Sequence, residues 1–480
     1  MKIESKKRTA KIAIFGVGLD TYWNQFDGLL DELNGYMDDF QKIVLENGVE
    51  IKNFGMVDNA SAAYKTLEEM KEYNPDLIFC DMLTYATSAT FGIIIREMTC
   101  PIVLAILQPQ AAMDYENAKT YIQLCNDNIC AVPEFAGVAI RMGKKVPPMI
   151  IGKLYDEKIK PEIAHWCDVA KALNSVRGAR IGMMGHVLEA MLDMHSDPTA
   201  FTAQLGLHIV QCEPDGVVKC YENADPVLVS EKKKLILSFF DTPDPKSDPL
   251  TEKLTDEHLE TAARVSVALD EYIGEKKLDG MAYYYEGIED TLIRKVVTNF
   301  IVGNSLLCAS GFPMCGELDL KTCVAMLIMD SVGMGGSFAE LHPIDFNEGF
   351  VLVGHDGPHH LKIAEGKPVI RSLKKYHGKP GSGASVEFKI KEGPITMMSM
   401  GIQANGKFKM IIAEGESMKG AIPPTGNTNT RGFFKPDAPT FLKKWFAEGP
   451  THHFALGIGH KAQLLKDIAD ALGIDAVIVE

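Results

Sequence analysis

Residues 314–355 contain side chains of the kinds that could hold a divalent metal ion. Two carboxylates, Glu317 and Glu340, stand at the ends of an apolar, helix-like run, and each lies beside a glycine-bearing turn. His355 follows at the end of a short apolar segment, and a histidine pair stands far downstream at 452–453. Hard cations such as Mn²⁺ and Mg²⁺ prefer carboxylate oxygen and admit imidazole nitrogen. Two acids and two histidine sources on separate elements therefore suit a divalent metal.

Each member of this set also has an ordinary structural interpretation. Glu317 stands where a helix begins, and acidic side chains are favoured there by the helix dipole. Taken alone, Glu340 is an ordinary surface acid, and His355 is a core or surface histidine in a glycine-rich turn. The metal interpretation rests on the occurrence of these acids and histidines together. It also rests on the Met-Gly-Gly-Ser turn before Glu340, whose glycines let the backbone approach a neighbouring part of the protein or a ligand closely.

The remaining histidines near this stretch are treated separately. His359 and His360 follow a glycine and a proline, and we expect both to be solvated. His452 and His453 are adjacent, so their side chains point in different directions and at most one is expected to bind the same metal. The glycine-rich, apolar sequence around the 452–453 pair indicates that it lies near packed backbone.

The composition limits the classes of partner. The chain of 480 residues predicts two to four domains. A net charge of −15 without clustered Lys and Arg argues against nucleic acid and anionic membranes. A secretory signal and a long uncharged apolar run are both lacking, so we expect no membrane span. The ten cysteines form no C-x-x-C pair, so Cys315 and Cys323 are interpreted as core thiols of a cytoplasmic protein.

The metal-site candidates must be positioned by the elements around them, and the N-terminal third predicts an open α/β layer. Apolar strands at 11–18, 76–83 and 101–108 alternate with helical segments, and Asn59 is the predicted N-cap of one helix. Strands buried on both faces and separated by helices indicate a parallel sheet. We expect this first domain to cover residues 1–174.

A second and a third domain follow. Strands at 179–186 and 279–286, with a charged helix between them, predict another open parallel-sheet domain over 175–325. Alternating segments later in the chain, joined by an Asn-Gly turn, predict antiparallel hairpins and a small barrel over 326–480. The predicted fold class is therefore α/β, with two open parallel-sheet α/β domains followed by a C-terminal antiparallel, barrel-like β domain.

A dinucleotide site after the first strand is not supported. Gly16 and Gly18 begin a G-x-G pattern, but Thr21 occupies the place of the third glycine. The second strand also lacks the acidic residue that would bind a ribose. We interpret this segment as an ordinary strand-to-helix turn and therefore reject the hypothesis of a dehydrogenase.

Four motifs together resemble those of the L-arabinose isomerase/L-fucose isomerase family, nearer to the arabinose branch. They are G-E-L-D-L-K-T, G-G-S-F-A-E, V-L-V-G-H and G-P-T-H-H, in this order. The resemblance extends over essentially the whole chain, although the N-terminal half matches only in pattern. It implies two α/β units, a C-terminal β domain, and a cytoplasmic aldose–ketose isomerase that requires Mn²⁺ or another divalent cation such as Mg²⁺ or Co²⁺.

The resemblance also implies the roles of individual residues. Glu317 and Glu340 match the two carboxylate ligands, and His355 and His453 match the two histidine ligands. The same two glutamates would act as acid and base while a proton moves between C1 and C2 through an enediol. His452 would contact the substrate or support His453. Abstraction of a proton next to a carbonyl needs an electrophile, and a divalent cation supplies one.

The predicted sugar contacts depart from the family. The arabinose enzymes have a polar glutamine–histidine pair after the first strand, where this chain has Asp20 and Tyr22, and a histidine is missing near Glu134. Together with Gln108, these three residues follow strand ends and are our candidate substrate contacts. The sequence therefore leaves three substrate classes open: a pentose, a 6-deoxyhexose or another small polyol-type sugar. The resemblance further implies a homotrimer or homohexamer whose sites are shared between subunits.

Two other functions fit the same features. A non-catalytic sugar-binding or regulatory protein can be built on two α/β units around a cleft. A metal-dependent epimerase or aldolase would use the same electrophile. The retained pair of acids at the metal favours catalysis over binding alone.

Overall fold

The computed structural model describes residues 9–187, 191–243, 251–252, 254–373, 375–376, 379–380, 383–423 and 427–480. The chain divides into two compact units, of which the first ends at Asn174 and the second begins at Ser175. The predicted boundary between residues 325 and 326 falls inside a helix of the second unit, Leu320–Ser331. The three-domain division therefore stays a prediction.

The N-terminal unit is a five-stranded parallel sheet with helices on both faces. Its strands are β1 (Lys11–Val17), β2 (Glu50–Val57), β3 (Leu77–Met82), β4 (Ile102–Gln108) and β5 (Met149–Lys153), in the order β2-β1-β3-β4-β5. Its helices are α1 (Leu29–Leu45), α2 (Ala60–Tyr73), α3 (Ser88–Glu97), α4 (Thr120–Cys125), α5 (Val132–Arg141) and α6 (Lys160–Val176).

Local sequence and long-range packing agree in this unit. Every residue of β3 is buried, because the strand lies at the centre of the sheet between two apolar cores. Asn59 caps α2 as predicted, and its side-chain oxygen accepts a hydrogen bond from the backbone nitrogen of Ala62 at 2.9 Å. The predicted parallel α/β layer is confirmed.

The second unit begins with a four-stranded parallel sheet. Its strands are β6 (Arg180–Gly185), β7 (His208–Cys212), β9 (Gly280–Tyr284) and β10 (Met314–Cys315), in the order β10-β9-β6-β7. The short strand β8 (Thr251–Glu252) pairs elsewhere, with strand 364–373. The accompanying helices are α7 (Pro198–Leu205), α8 (Pro214–Asn223), α9 (Pro226–Phe239), α10 (Asp256–Lys276), α11 (Leu292–Thr298) and α12 (Phe300–Ala309).

The described remainder of this unit consists mainly of antiparallel strands and of three α-helices. The strands are β11 (Gly335–Asp345), β12 (Phe350–Asp356), β13 (Ala364–Leu373), β14 (Lys375–Tyr376), β15 (Lys379–Pro380), β16 (Ala384–Ile390), β17 (Gly393–Ile402), β18 (Phe408–Met418), β19 (Asn427–Phe433), β20 (Phe454–Ile458) and β21 (Asp475–Val479). The helices are α13 (Leu320–Ser331), α14 (Ala438–Ala447) and α15 (Ala462–Leu472). Among the described strands of this part, two pairings are parallel, β16 with β19 and β18 with β21.

Six of these strands close into a barrel. The order β18-β17-β20-β11-β12-β19 is completed by pairing of β19 with β18, and every neighbouring pair is antiparallel. The predicted Asn405–Gly406 turn joins β17 to β18. The barrel-like C-terminal part is therefore confirmed. Helix α13, which is almost entirely buried, packs against β11, β17 and β20.

One described stretch, Leu292–Ala309, is apolar and long enough to cross a bilayer by length and composition. It contains two successive helices, α11 and α12, and 56% of it is buried inside the protein. Arg294 and Lys295 also lie within it. These features are typical of a core helix.

Candidate metal centre and sugar cavity

A strained turn positions Glu317 between β10 and α13. Glu317 and Leu318 both adopt left-handed backbone angles, with φ values of 52° and 58°. Such angles cost non-glycine residues on the order of 1–3 kcal/mol, so the surrounding structure must enforce them. The backbone nitrogen of Leu318 donates to the carbonyl of Tyr283 on β9, and Asp319 caps α13 through the backbone nitrogen of Thr322. The turn therefore fixes the Glu317 carboxylate, whose side chain is 26% exposed.

Neighbouring barrel strands position Glu340 and His355. Glu340 on β11 stands opposite Gly354 on β12, so His355 is one residue along the partner strand. Phe338, two residues before Glu340, places its ring 4.5 Å from the ring of His355 and 4.2 Å from that of His453. The phenyl ring thus contacts both imidazoles and restricts their orientation.

His453 is completely buried just before β20, and Asp319 determines which of its nitrogens is free. Oδ2 of the buried Asp319 lies 3.3 Å from Nδ1 of His453, so Nδ1 carries the proton and donates it. Burial lowers the pKa of His453, which keeps the imidazole neutral. Burial would raise the pKa of Asp319, but the hydrogen bond from His453 and the charge of Lys321 lower it overall. The lone pair of His453 therefore resides on Nε2.

That Nε2 atom is buried and has no hydrogen-bond partner among the described residues. It lies 3.4 Å from Oε2 of Glu317. Glu317, His355 and His453 each offer a ligand atom within 4.8 Å of the others, and so do Glu340, His452 and His453. A buried nitrogen lone pair with nearby carboxylates is costly in a dry interior. The donor set fits a divalent cation, and His453 is common to both groups.

The pairing of His355 with Asp356 orients the second candidate histidine ligand. Nδ1 of His355 donates to the backbone carbonyl of Asp356 at 2.7 Å and lies 2.9 Å from its carboxylate. Burial would lower the pKa of His355, but the hydrogen bond and charge of Asp356 raise it to about 9. A carboxylate behind a histidine ligand is the usual arrangement for fixing its ring and raising its basicity.

Glu340 is engaged by the half-exposed His452. Nε2 of His452 lies 2.8 Å from Oε2 of Glu340, and the hydrogen bond raises the pKa of His452. Burial would raise the pKa of Glu340, but this hydrogen bond and the surrounding histidines lower it to about 2. Glu340 is therefore ionised over the whole physiological pH range.

A cavity of about 800 Å³ opens beside these residues. Its lining includes Glu317, His355, Phe338 and the three consecutive tyrosines at 283–285. The volume lies in the range typical of small-molecule sites. One candidate carboxylate and one candidate imidazole therefore face a space large enough for a sugar.

The four substrate contacts predicted in the N-terminal half lie at the carboxyl ends of β1 and β4 or in α5. Asp20 accepts a hydrogen bond from Asn59, and the Gln108 amide donates to the carbonyl of Gln110. Tyr22 is partly buried, and this burial and the nearby Asp127, Cys130 and Tyr85 raise its pKa.

Glu134 accepts hydrogen bonds from the backbone nitrogen of Ser88 and the hydroxyl of Tyr85. Tyr85 is thus close to both Tyr22 and Glu134. The carboxyl ends of parallel strands are where α/β sheets bind ligands. Sugar contact by the four residues stays a prediction.

The expectation that His359 and His360 are solvated is wrong, since both are almost fully buried. Nε2 of His359 donates to the carbonyl of His355 at 2.9 Å, and burial lowers the pKa of His359 to about 3. Nε2 of His360 lies 2.9 Å from Asp330 of α13. Cys315 and Cys323 are buried, as expected for core thiols. The segment after β12 therefore supports the backbone of a candidate ligand.

Two residues near the site were missed from the sequence: Asp319 orients His453, and Lys321 is buried beside Asp319. A third neighbour, Asp193, accepts a hydrogen bond from the backbone of His452. The signal that could have revealed Asp319 is its place two residues after Glu317, at the start of a largely apolar helix. Besides capping α13 through Thr322, an acid buried there needs a partner for its charge, and His453 from elsewhere in the chain provides one.

Two comparisons with known proteins agree with the resemblance seen in the sequence motifs. Residues 358–480 match the family model described as L-fucose isomerase, C-terminal domain. An L-arabinose isomerase from Nocardioides sp. is 23% identical over 357 residues, with 72% of this chain and 69% of the relative covered. L-arabinose isomerase 1 from Bacillus licheniformis is 24% identical over 356 residues, and the L-arabinose isomerase from Bacillus subtilis is 22% identical over 356, with the same coverage.

Proposed function

We propose that this chain, which belongs to the L-arabinose and L-fucose isomerase family and is a sugar aldose–ketose isomerase, requires a divalent cation for its activity. Glu317, Glu340, His355 and His453 would hold the cation, and Mn²⁺ is the first candidate. The observation that carries this proposal is the buried Nε2 of His453, which lacks a hydrogen-bond partner among the described residues and lies 3.4 Å from Glu317. Mixed carboxylate and imidazole donors suit Mn²⁺ and also admit Mg²⁺ or Co²⁺.

A cation bound by these donors would act as the electrophile that stabilises charge on the sugar oxygens. The proton transfer itself falls to the carboxylates. The base removes the proton from C2 of the aldose while O1 takes up a proton, which gives the enediol. Loss of the O2 proton and return of a proton to C1 then give the ketose. Glu317 lines the cavity and Glu340 is ionised, so the pair supplies the acid and base functions that this exchange needs.

The substrate we propose is a pentose or a 6-deoxyhexose. The cavity beside Glu317 and His355 accommodates such a sugar, and its tyrosines at 283–285 offer an apolar face with hydroxyl groups. His452, half-exposed and bonded to Glu340, is placed to contact a sugar hydroxyl. The L-arabinose isomerases to which this chain is similar act, by their names, on a pentose.

We further propose that the enzyme is a cytoplasmic homotrimer or homohexamer. In this arrangement Asp20, Tyr22, Gln108 and Glu134 of one subunit contact the sugar bound by the next. The position of Asp20, Tyr22 and Gln108 at the carboxyl ends of N-terminal strands supports a ligand-binding role, and Glu134 on α5 lies close to Tyr22 through Tyr85. Light scattering of the purified protein, with and without Mn²⁺, measures the mass. A monomer with full activity would contradict the shared site.

A sugar panel tests the activity. The Mn²⁺-loaded protein is incubated with aldopentoses and 6-deoxyhexoses, and ketose formation is followed over time. We expect ketose from at least one sugar, with loss of activity after dialysis against a chelator and recovery on adding Mn²⁺. Formation of an epimer or of cleavage products instead would favour the epimerase or aldolase function. Tight sugar binding without any turnover would refute the isomerase.

Two isosteric substitutions test the roles of the acids. Glu317→Gln and Glu340→Gln should each lower kcat at least about a hundredfold, the scale of lost acid–base catalysis. Glu416→Gln is the matched control, because Glu416 lies on barrel strand β18 and also contacts a histidine, His460 at 3.2 Å. We expect the control to stay within about twofold of wild type. Activity within about tenfold in either site variant would contradict the assigned roles.

A further inference from the structure

Five residues from three separate segments form a closed ring of contacts behind the two histidines. Nζ of Lys321 donates to the carbonyl of Asp193 at 2.6 Å and lies 3.9 Å from Oδ1 of Asp319. Asp319 accepts from Nδ1 of His453 at 3.3 Å, and the carboxylate of Asp193 accepts from the backbone nitrogen of His452 at 2.8 Å. The peptide bond between His452 and His453 closes the ring.

Lys321 is the member of this ring whose presence is hardest to explain by stability alone. Its side chain is 1% exposed, on the first turn of the apolar helix α13. An ammonium group is costly to bury unless it is paired and hydrogen-bonded, and buried pairs often add little net stability. Lys321 is therefore better explained by what it positions than by the energy of its contacts.

The two groups that Lys321 contacts hold different parts of the same turn. Asp319 orients the imidazole of His453, while Asp193 holds the backbone at His452. Asp193 belongs to a short 3-10 turn, Leu192–Met194, which is anchored by the buried Met194. Loss of Lys321 would remove one contact from each aspartate, although Thr322 would still hold Asp319, and would loosen the orientation of both histidines.

We propose that Lys321 is a positioning residue for the metal centre, acting through Asp319 on His453 and through Asp193 on His452. This inference rests on the proposed function, because it assumes that His453 binds the cation. Residues that orient metal ligands from behind affect metal binding strongly, and their loss typically weakens it 10–100-fold. Through the ring, this support would include a lysine that contacts neither His452 nor His453 directly.

Calorimetric titration of the full-length, metal-free protein with Mn²⁺ tests the proposal. Lys321→Met keeps the length and apolar stem of the side chain and removes its charge and donors. We expect at least about tenfold weaker Mn²⁺ binding, together with a changed visible absorption spectrum of the Co²⁺-loaded protein, which reports the arrangement of ligands. A purely structural role would lower the melting temperature and leave both the affinity and the spectrum unchanged.

Lys232→Met is the matched control. Lys232 is also little exposed, at 17%, and pairs with Asp270 at 2.6 Å between α9 and α10. We expect this variant to bind Mn²⁺ within about twofold of wild type. If wild type itself binds no Mn²⁺, the proposed function fails. If wild type binds and Lys321→Met binds equally well, only the role of Lys321 is refuted.

A measurement on the wild-type protein keeps the proposal testable if Lys321→Met does not fold. Hydrogen–deuterium exchange is compared with and without Mn²⁺ for peptides covering 191–198, 449–456 and, as a control, helix α15. The ring predicts slower exchange in 191–198 on adding Mn²⁺, although that segment contains none of the four proposed ligands. Slowing confined to 449–456, with 191–198 unchanged, would overturn it.

Discussion

Asp81 gives the sharpest stability prediction, because its carboxyl group is buried in the N-terminal sheet and one of its oxygens lacks a hydrogen-bond partner among the described residues. The residue is 2% exposed on the central strand β3, and its Oδ2 has no hydrogen-bond partner within the described part of the chain. Burial raises the pKa of Asp81 from 3.8 to about 8. The folded protein therefore holds this side chain as a neutral acid at neutral pH.

The direction of the pH dependence follows from proton counting. Between the unfolded and folded pKa values, the folded state keeps a proton that the unfolded state has released, so folding becomes less favourable as pH rises. Each pH unit costs about 1.4 kcal/mol, which amounts to about 4 kcal/mol between pH 5 and pH 8. The stability associated with the protonated Asp81 is fully present below about pH 4 and lost as pH rises through about 8.

Asp81→Asn removes the titration while keeping the shape of the side chain. We expect Asp81→Asn to raise the free energy of opening of β3 more at pH 8 than at pH 5. The effect at pH 8 should exceed the effect at pH 5 by up to about 4 kcal/mol. Hydrogen exchange of β3 amides, measured at both pH values, reports this strand directly. The substitution should also raise the melting temperature of the N-terminal unit. Fluorescence of Trp23 and Trp166, which both lie in that unit, reports this temperature.

Asp76→Asn is the matched control in the same unit. Asp76 is also buried, but its Oδ2 accepts from the backbone nitrogen of Lys11 at 2.8 Å and from the Asn174 amide at 2.9 Å. We expect no stabilisation from this substitution at pH 8, because an existing acceptor would be weakened. An equal effect of Asp81→Asn at pH 5 and pH 8 would refute the reasoning, since it would show that Asp81 does not titrate between them.

Two further predictions concern the metal centre. Asp319→Asn should weaken Mn²⁺ binding 10–100-fold, because an amide can offer a donor to Nδ1 of His453 and move the proton to Nε2; calorimetric affinity within twofold of wild type would contradict this. Mn²⁺ at a hundred times its dissociation constant should raise the free energy of unfolding of the second unit, residues 175–480, by about 2.7 kcal/mol. A chelator should reverse this stabilisation. Exchange of β3 amides serves as the internal control, and a protein equally stable with and without Mn²⁺ would contradict the second prediction.

Much of the architecture could be predicted because its signals are local. Strands β1, β3 and β4 of the N-terminal sheet are largely continuous apolar runs. The Asn59 cap depends on residues three positions apart, and the Asn405–Gly406 turn specifies its own hairpin. The alternation of apolar and polar residues suggests a barrel but does not specify how it closes. Closure depends on pairing of β19 with β18, and that contact is made by a strand whose sequence, N-T-N-T-R-G-F, carries little hydrophobic alternation.

The sequence names the candidate ligands but not the residues that support them. His359 and His360 follow a glycine and a proline, and local polarity predicted solvation for both. They are buried because Ser305, Ser337 and Asp330 supply hydrogen bonds from elements distant in the chain. The role of Lys321 is hidden for the same reason, since its partner Asp193 lies on a segment that no short motif connects to it.

The distribution of the four proposed ligands along the chain has a consequence for how the protein would acquire its metal. Glu317 precedes α13, Glu340 and His355 lie on β11 and β12, and His453 immediately precedes β20. Each hairpin or helix alone carries at most two of the donors, so an incomplete chain offers only weak sites. Unlike a zinc finger, whose closely spaced ligands let the ion nucleate folding, this barrel would have to close before it could capture the proposed cation. Metal loading would therefore be a late event, limited by folding of the C-terminal unit.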